Sequence, residues 1–214
     1  MKLYHYVHCP FCIRVRMVLG LLNKPFDSIV LPYNDESTPV NLTGVKMLPI
    51  MDFGDEGNFN ESLDIIAKLD SDNILQNEKL DSDQRVLVEE LLSAIGSNVH
   101  SLCMPYWIWT PEFNDESRNY FQKKKEVKRG PFNQLVHKRE KFLSELSQIL
   151  STLEESIEEY YMSDSLSIFD IMIASHLWGM YIYPEFQFSD KIHQYLQRVK
   201  RDCRFDYHVD FWKD

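Results

Sequence analysis

The chain has 214 residues, 44% apolar and 26% charged, the proportions of an ordinary globular protein long enough to bury a substantial core. Seven glycines, about half the usual share, disfavour a turn-rich all-β protein and favour long helices. The net charge of −10 repels phosphate backbones and excludes nucleic acid as the expected partner.

No run approaches the ~18 apolar residues of a membrane span, and the opening residues carry no apolar leader stretch. Four cysteines are too few for a secreted disulfide scaffold. A soluble cytoplasmic protein, without a membrane partner, is expected.

Leu3, Tyr4, Tyr6 and Val7 predict a short strand that runs straight into Cys9-Pro10-Phe11-Cys12. From Ile13 to Leu22 apolar residues recur on more than one side, so this helix must be covered on both; Asn23, Lys24 and Pro25 stop it. Phe26–Leu31 reads as a buried parallel strand. Thr38–Thr43 follows as a short helix and Leu48–Phe53 as a third strand. Gly54-Asp55-Glu56-Gly57 reads as a hairpin turn into a brief strand at Asn58–Asn60, and Glu61-Ser62 open an amphipathic helix through Leu63, Ile66 and Leu69. The order β-α-β-α-β-β-α predicts an α/β domain over residues 1–72.

A polar linker is expected over 73–83, with only isolated apolar anchors. Residues 84–214 predict an all-α domain. Its helices are Arg85–Met104, Glu116–Arg129, Pro131–Tyr161 with room for a break, Ser167–Tyr183 and Ser189–Arg201.

Cys9-x-x-Cys12 stands where the first strand meets the first helix. A helix N-terminus offers unpaired N–H groups and a partial positive charge. Pro10 has no N–H, so the amides of Phe11 and Cys12 are the expected donors that lower the Cys9 pKa. A thiol of pKa ~8.5 is only ~3% ionised at pH 7, against ~99% at pKa ~5. Cys12, three positions on, brings its sulfur close to that of Cys9. An ionised attacker beside a more buried resolver is what thiol–disulfide exchange needs. Zinc is the competing reading of a CxxC, with His5 and His8 nearby, but structural zinc takes four ligands and the other cysteines, Cys103 and Cys203, stand alone. No metal is expected.

Tyr4-His5-Tyr6-Val7-His8-Cys9-Pro10-Phe11-Cys12 and Ile13-Arg14-Val15-Arg16 resemble the active-site segment of glutaredoxins, with Phe11 where that family usually has tyrosine. Lys46-Met47-Leu48-Pro49-Ile50 and Asn60-Glu61-Ser62-Leu63-Asp64-Ile65 are similar to its two glutathione-binding stretches. With a helical domain attached, the chain resembles the glutaredoxin 2 family, whose overall shape is that of glutathione transferases. The resemblance implies a thioredoxin-like N-terminal domain, a glutathione transferase-like helical domain, and glutathione-dependent disulfide oxidoreductase activity. Cys9 and Cys12 would be catalytic, supported by Pro10 and Phe11. Leu48 and a cis Pro49 would bind the cysteinyl part of glutathione; Glu61 and Ser62 would bind its γ-glutamyl end. Glutathione is the implied co-substrate, glutathionylated or disulfide-bonded proteins are the implied partners, and a monomer is expected.

Weaker signals remain. Ser62 is otherwise a helix N-cap. Ser167-Ile168-Phe169-Asp170 reads as a capping box with Leu166 and Ile171 as a staple. His8 reads as an exposed loop residue or a thiolate stabiliser, Arg14 as a solvated helix face or an active-site charge, and Lys46 as a candidate for the glycyl carboxylate. Tyr106-Trp107-Ile108-Trp109 reads as packing or as a wall beside the cysteines. Lys123, Lys124, Lys125, Lys128 and Arg129 read as an exposed basic face, and Cys103 and Cys203 as inert core residues. The alternatives to a glutaredoxin are a glutathione transferase proper, an iron–sulfur or metal module, and a membrane-associating relative similar to chloride intracellular channel proteins.

Overall fold

The computed structural model describes residues 1–184 and 186–206. Four strands, β1 (Lys2–His5), β2 (Asp27–Val30), β3 (Ile50–Asp52) and β4 (Asn58–Phe59), form one mixed sheet in the order β2-β1-β3-β4. β1 lies parallel to β2 and antiparallel to β3, with Leu3 opposite both Ser28 and Met51. Three helices, α1 (Pro10–Leu21), α2 (Ser37–Thr43) and α3 (Ser62–Leu69), complete the thioredoxin-like domain. The helical domain comprises α4 (Gln84–Trp107), α5 (Asp115–Arg129), α6 (Phe132–His137), α7 (Arg139–Glu155), α8 (Ile168–Leu177) and α9 (Asp190–Asp202).

One hydrophobic core runs through both domains, from Leu3 and Met51 in the sheet to Leu146 and Leu196 among the helices. The many-sided apolar pattern of α1 is explained by its two partners, α3 in its own domain and α8 in the other. At Gly20 an added Cβ would lie 1.9 Å from the carbonyl oxygen of Cys203. That glycine lets the end of α1 meet the backbone that follows α9.

α8 is buried along its whole length except at His176, so its apolar residues need no polar face. Its start carries the expected capping box. Asp170 is fully buried and accepts from the Ser167 N–H at 2.8 Å, the Ser167 hydroxyl at 3.0 Å, the Tyr161 N–H at 2.7 Å and the Tyr195 hydroxyl at 3.0 Å. The box thus ties α8 to the segment before it and to α9.

One expectation is corrected. β2 is parallel to β1 but occupies the sheet edge, leaving Asp27, Ser28 and Val30 exposed rather than buried. The segment after α3 is anchored: Leu75 is fully buried and its carbonyl accepts from the Ile168 N–H at 2.8 Å, while Asp70 accepts from the N–H groups of Ile74 and Leu75. Pro131–Tyr161 breaks at Lys138, and the apolar run after α8 tightens into a 3-10 turn over Trp178–Ile182.

His5 is buried on β1, its Nε2 2.8 Å from the Ser28 hydroxyl, and burial lowers its pKa to about 4. An unfolded histidine titrates near 6.5. The stability from keeping His5 neutral is therefore complete above about pH 6.5 and lost as pH falls toward 4. At pH 5 the loss is about 2 kcal/mol. Urea unfolding at pH 7 and pH 5 should show a smaller pH difference in His5→Gln than in the parent, by about that amount.

Candidate functional site

Cys9 is the N-cap of α1, with extended backbone (φ −73°, ψ 121°), and Pro10 is the first helical residue. The Cys12 and Ile13 N–H groups donate to the Cys9 carbonyl at 3.0 and 2.9 Å, which closes the first turn. Proline suits this position because its missing N–H would have no helical partner.

The Cys9 thiol is lowered to about 7. The leading cause is a hydrogen bond from the Cys12 thiol; burial opposes it, and the Cys12 and Phe11 amides and the Lys125 charge assist. The amides expected to lead are present but second to the neighbouring sulfur. At this pKa about half of Cys9 is ionised at pH 7. Cys12 is fully buried and its pKa is raised well above the ordinary value, first by burial and then by the hydrogen bond that its thiol donates to Cys9. The Tyr6 N–H donates to the Cys12 sulfur at 3.4 Å.

Cys9 is half-buried and opens onto a cavity of about 270 Å³ between the two domains. Pro10, Phe11 and Leu48 line it from one side, and His100, Trp107 and Lys125 from the other. The Leu48–Pro49 peptide is cis, and both residues are buried. The expected residues Cys9, Pro10, Phe11 and Leu48 are therefore brought together, with Cys12 buried in a small cluster with Leu31, Leu48 and Ile50. Glu61 and Ser62 stand at the start of α3 and do not line this cavity. Glu61, exposed, is the N-cap and Ser62, buried, is the first helical residue, so the serine is not itself the cap.

Several side chains are placed differently from expectation. His8 is buried: its Nε2 lies 2.9 Å from the Thr110 hydroxyl and 2.6 Å from the Glu112 carboxylate, and its ring stacks on Trp107. It joins the Cys9 loop to the helical domain. Arg14 is also buried, with its guanidinium over the Phe11 ring. Lys46 lines the cavity, but its ammonium donates to the Tyr33 carbonyl at 2.8 Å and the Tyr120 hydroxyl at 2.6 Å.

The basic run divides by helical face. Lys123, Lys124 and Lys128 are exposed, whereas Lys125 and Arg129, four residues apart, turn inward below Phe121. Spacing at i, i+4 with Phe121 was the available signal; the run of charges obscured it. Trp107 walls the cavity while Trp109 is 70% exposed, which divides the aromatic cluster in the same way. Cys103 and Cys203 are buried and burial raises both thiols, so neither competes with Cys9.

Among the described residues no group of three or more His, Cys, Asp or Glu side chains is placed to hold a metal ion. No described helix is long and apolar enough to cross a membrane.

Known proteins share this arrangement. The family described as "Glutathione S-transferase, N-terminal domain" matches residues 3–73, and "Glutaredoxin 2, C terminal domain" matches residues 87–206, more than half of the chain. Glutaredoxin 2 of Escherichia coli (strain K12) is 28% identical over 213 residues, covering 96% of this chain and 97% of that one. The crystal structure of glutaredoxin 2 from Salmonella typhimurium in complex with glutathione superposes with a TM-score of 0.85 at 27% identity, covering 96% and 95% of the two chains. Glutathione transferase GSTFuA3 from Phanerochaete chrysosporium shares the fold at 16% identity, with a TM-score of 0.79 over 96% and 97% of the chains. With a CxxC at the head of α1, a thioredoxin-like sheet and a matching helical domain, the chain belongs to the glutaredoxin 2 family.

Proposed function

We propose that the protein is a cytoplasmic glutathione-dependent thiol–disulfide oxidoreductase acting on glutathione mixed disulfides and protein disulfides. The observation that carries this reading is the sulfur pair: a Cys9 thiol lowered to about 7, open to a cavity, with a buried protonated Cys12 donating to it. Glutathione as co-substrate is supported by the glutathione bound to the Salmonella relative and by Leu48 lining the same cavity as Cys9. In this reading the Leu48 backbone, held by Pro49, pairs with the cysteinyl part. Glu61 and Ser62 receive the γ-glutamyl end, where free N–H groups at a helix start favour a carboxylate.

Cys9 thiolate attacks the glutathione sulfur of a mixed disulfide. The Cys9–glutathione S–S bond forms, the original S–S bond breaks, and the departing thiolate takes a proton from water. A glutathione thiolate then attacks the bound glutathione sulfur, releasing oxidised glutathione and restoring the Cys9 thiolate. With a protein disulfide, Cys9 bonds to one protein sulfur and the other leaves. Cys12 then loses its proton and attacks the Cys9 sulfur, freeing the protein thiol and forming Cys9–Cys12, which two glutathiones reduce. The burial that keeps Cys12 protonated makes it act second.

The test is to trap the first intermediate. Cys12→Ser protein mixed with oxidised glutathione should gain one glutathione mass, mapped to Cys9 by peptide mass spectrometry. Labelling at Cys103 or Cys203 instead, or no labelling, would contradict the proposal.

A further inference from the structure

Phe11 and His100 line both the Cys9 cavity and a second, larger one of about 530 Å³. Leu92, Leu135 and Phe142 give this second cavity apolar walls, and Lys128 and Arg129, from the last turn of α5, give it charge. The Arg129 guanidinium is fixed by neutral acceptors: the Ser97 carbonyl at 3.1 Å, the Ser101 hydroxyl at 3.2 Å and His100 Nδ1 at 3.2 Å. His100 is neutral, its pKa lowered to about 3 first by burial and then by the charges of Arg129, His176, Lys125 and Lys128. Among the described residues neither Lys128 nor Arg129 pairs with a carboxylate, and no Asp or Glu lines either cavity. Glu126, on the same helix, is engaged by the Gln122 amide at 2.9 Å and the Phe132 N–H at 2.8 Å. Cations in a last turn suit the helix dipole. That explains their charge, but not an acid-free cationic wall in a chain of net charge −10.

We infer that this cavity is the docking site for an acidic segment of the protein substrate, whose Asp or Glu side chains pair with Arg129 and Lys128 while its cysteine lies at Cys9. Charge complementarity selects the occupant, since an acid-free cationic groove on an acidic protein attracts acidic segments that the rest of the surface repels. Lys125 lines the Cys9 cavity and Arg129 stands one turn further along α5, about 6 Å along its axis. An extended segment covers that span in about two residues, so the acids belong about two to four positions from the substrate cysteine. The apolar walls receive the side chains between. The residues proposed to hold glutathione, Leu48, Pro49, Glu61 and Ser62, do not line this cavity, which leaves it to the other partner of the exchange. The inference rests on the proposed function for the arrival of a substrate cysteine at Cys9.

Fluorescence anisotropy in a Cys9→Ser background reads binding without exchange, so failure here leaves the redox reading standing and failed exchange leaves this test intact. The probes are two labelled peptides with one S-glutathionylated cysteine each, flanked by Glu in one and by Gln in the other. The glutathionyl group is common to both, so its own carboxylates cancel in the ratio of affinities. At low salt the Glu peptide should bind about tenfold or more tighter than the Gln peptide, and high salt should shrink that preference. Lys128→Gln combined with Arg129→Gln should bring the ratio close to one, and Arg129→Lys should keep most of it. Ser97→Glu keeps both cations and places a competing carboxylate from an exposed position on the cavity wall. It should lower the ratio in the same way, whereas Ser97→Gln should not. A parent without preference for the Glu peptide would overturn the inference, as would a preference that neither the double variant nor Ser97→Glu reduces.

Discussion

Cys9→Ser should lower turnover of a glutathionylated peptide by at least about three orders of magnitude, because an alcohol neither ionises near pH 7 nor leaves as a thiolate does. Cys12→Ser should keep turnover within about tenfold of the parent on the same substrate. Its hydroxyl can still donate to the Cys9 sulfur, and the monothiol route needs no second cysteine. Reduction of a protein disulfide should cost Cys12→Ser more than deglutathionylation does, since it leaves the mixed disulfide for glutathione to resolve. Steady-state assays with excess glutathione and a coupled reductase read both effects. Full turnover in Cys9→Ser would end the nucleophile assignment; equal losses in both variants would end the division of roles.

Asp170→Ala should destabilise the fold by about 3–5 kcal/mol, the range for stranding buried polar groups and breaking a buried network. Four donors converge on this carboxylate from α8, the Tyr161 segment and α9, and a methyl group satisfies none. For a chain of this size the melting temperature should fall by about 10 °C or more. Ser167→Ala, which removes only the cap side chain, should cost about 1 kcal/mol. Denaturant unfolding of both variants distinguishes a network from a local cap. A cost below about 1 kcal/mol for Asp170→Ala would mean that water or a rearranged backbone replaces the carboxylate. Because α8 packs on α1, the same loss should loosen the helix that carries Cys9.

What the sequence revealed was local. The CxxC between a strand and a helix, the apolar pattern of α1 on several sides, and the Ser167–Asp170 spacing each state their own structure, since motif and geometry lie within one or two turns. Leu48-Pro49 gained its cis expectation from a family likeness, as an isolated X–Pro bond favours trans. Residues that depend on the meeting of the domains were only partly legible. His8 reads first as an exposed loop residue until Thr110 and Glu112 close over it, and Arg14 reads equally as a solvated helix face or an active-site charge until α8 packs on α1. Lys125 was hidden because its neighbours share its charge but not its face. The edge position of β2 was equally illegible: Phe26, Ile29 and Leu31 suggest burial, but strand order decides exposure.

The most direct test of the account follows the alkylation rate of Cys9 against pH, read by mass spectrometry with Cys103 and Cys203 as buried, unreactive internal controls. The parent should show a midpoint near pH 7, and Cys12→Ala should move it toward 9, since the leading stabiliser of the thiolate is then gone. A parent midpoint at or above about 8.5, the value of an unperturbed cysteine, would contradict the account, as would a midpoint that Cys12→Ala leaves in place.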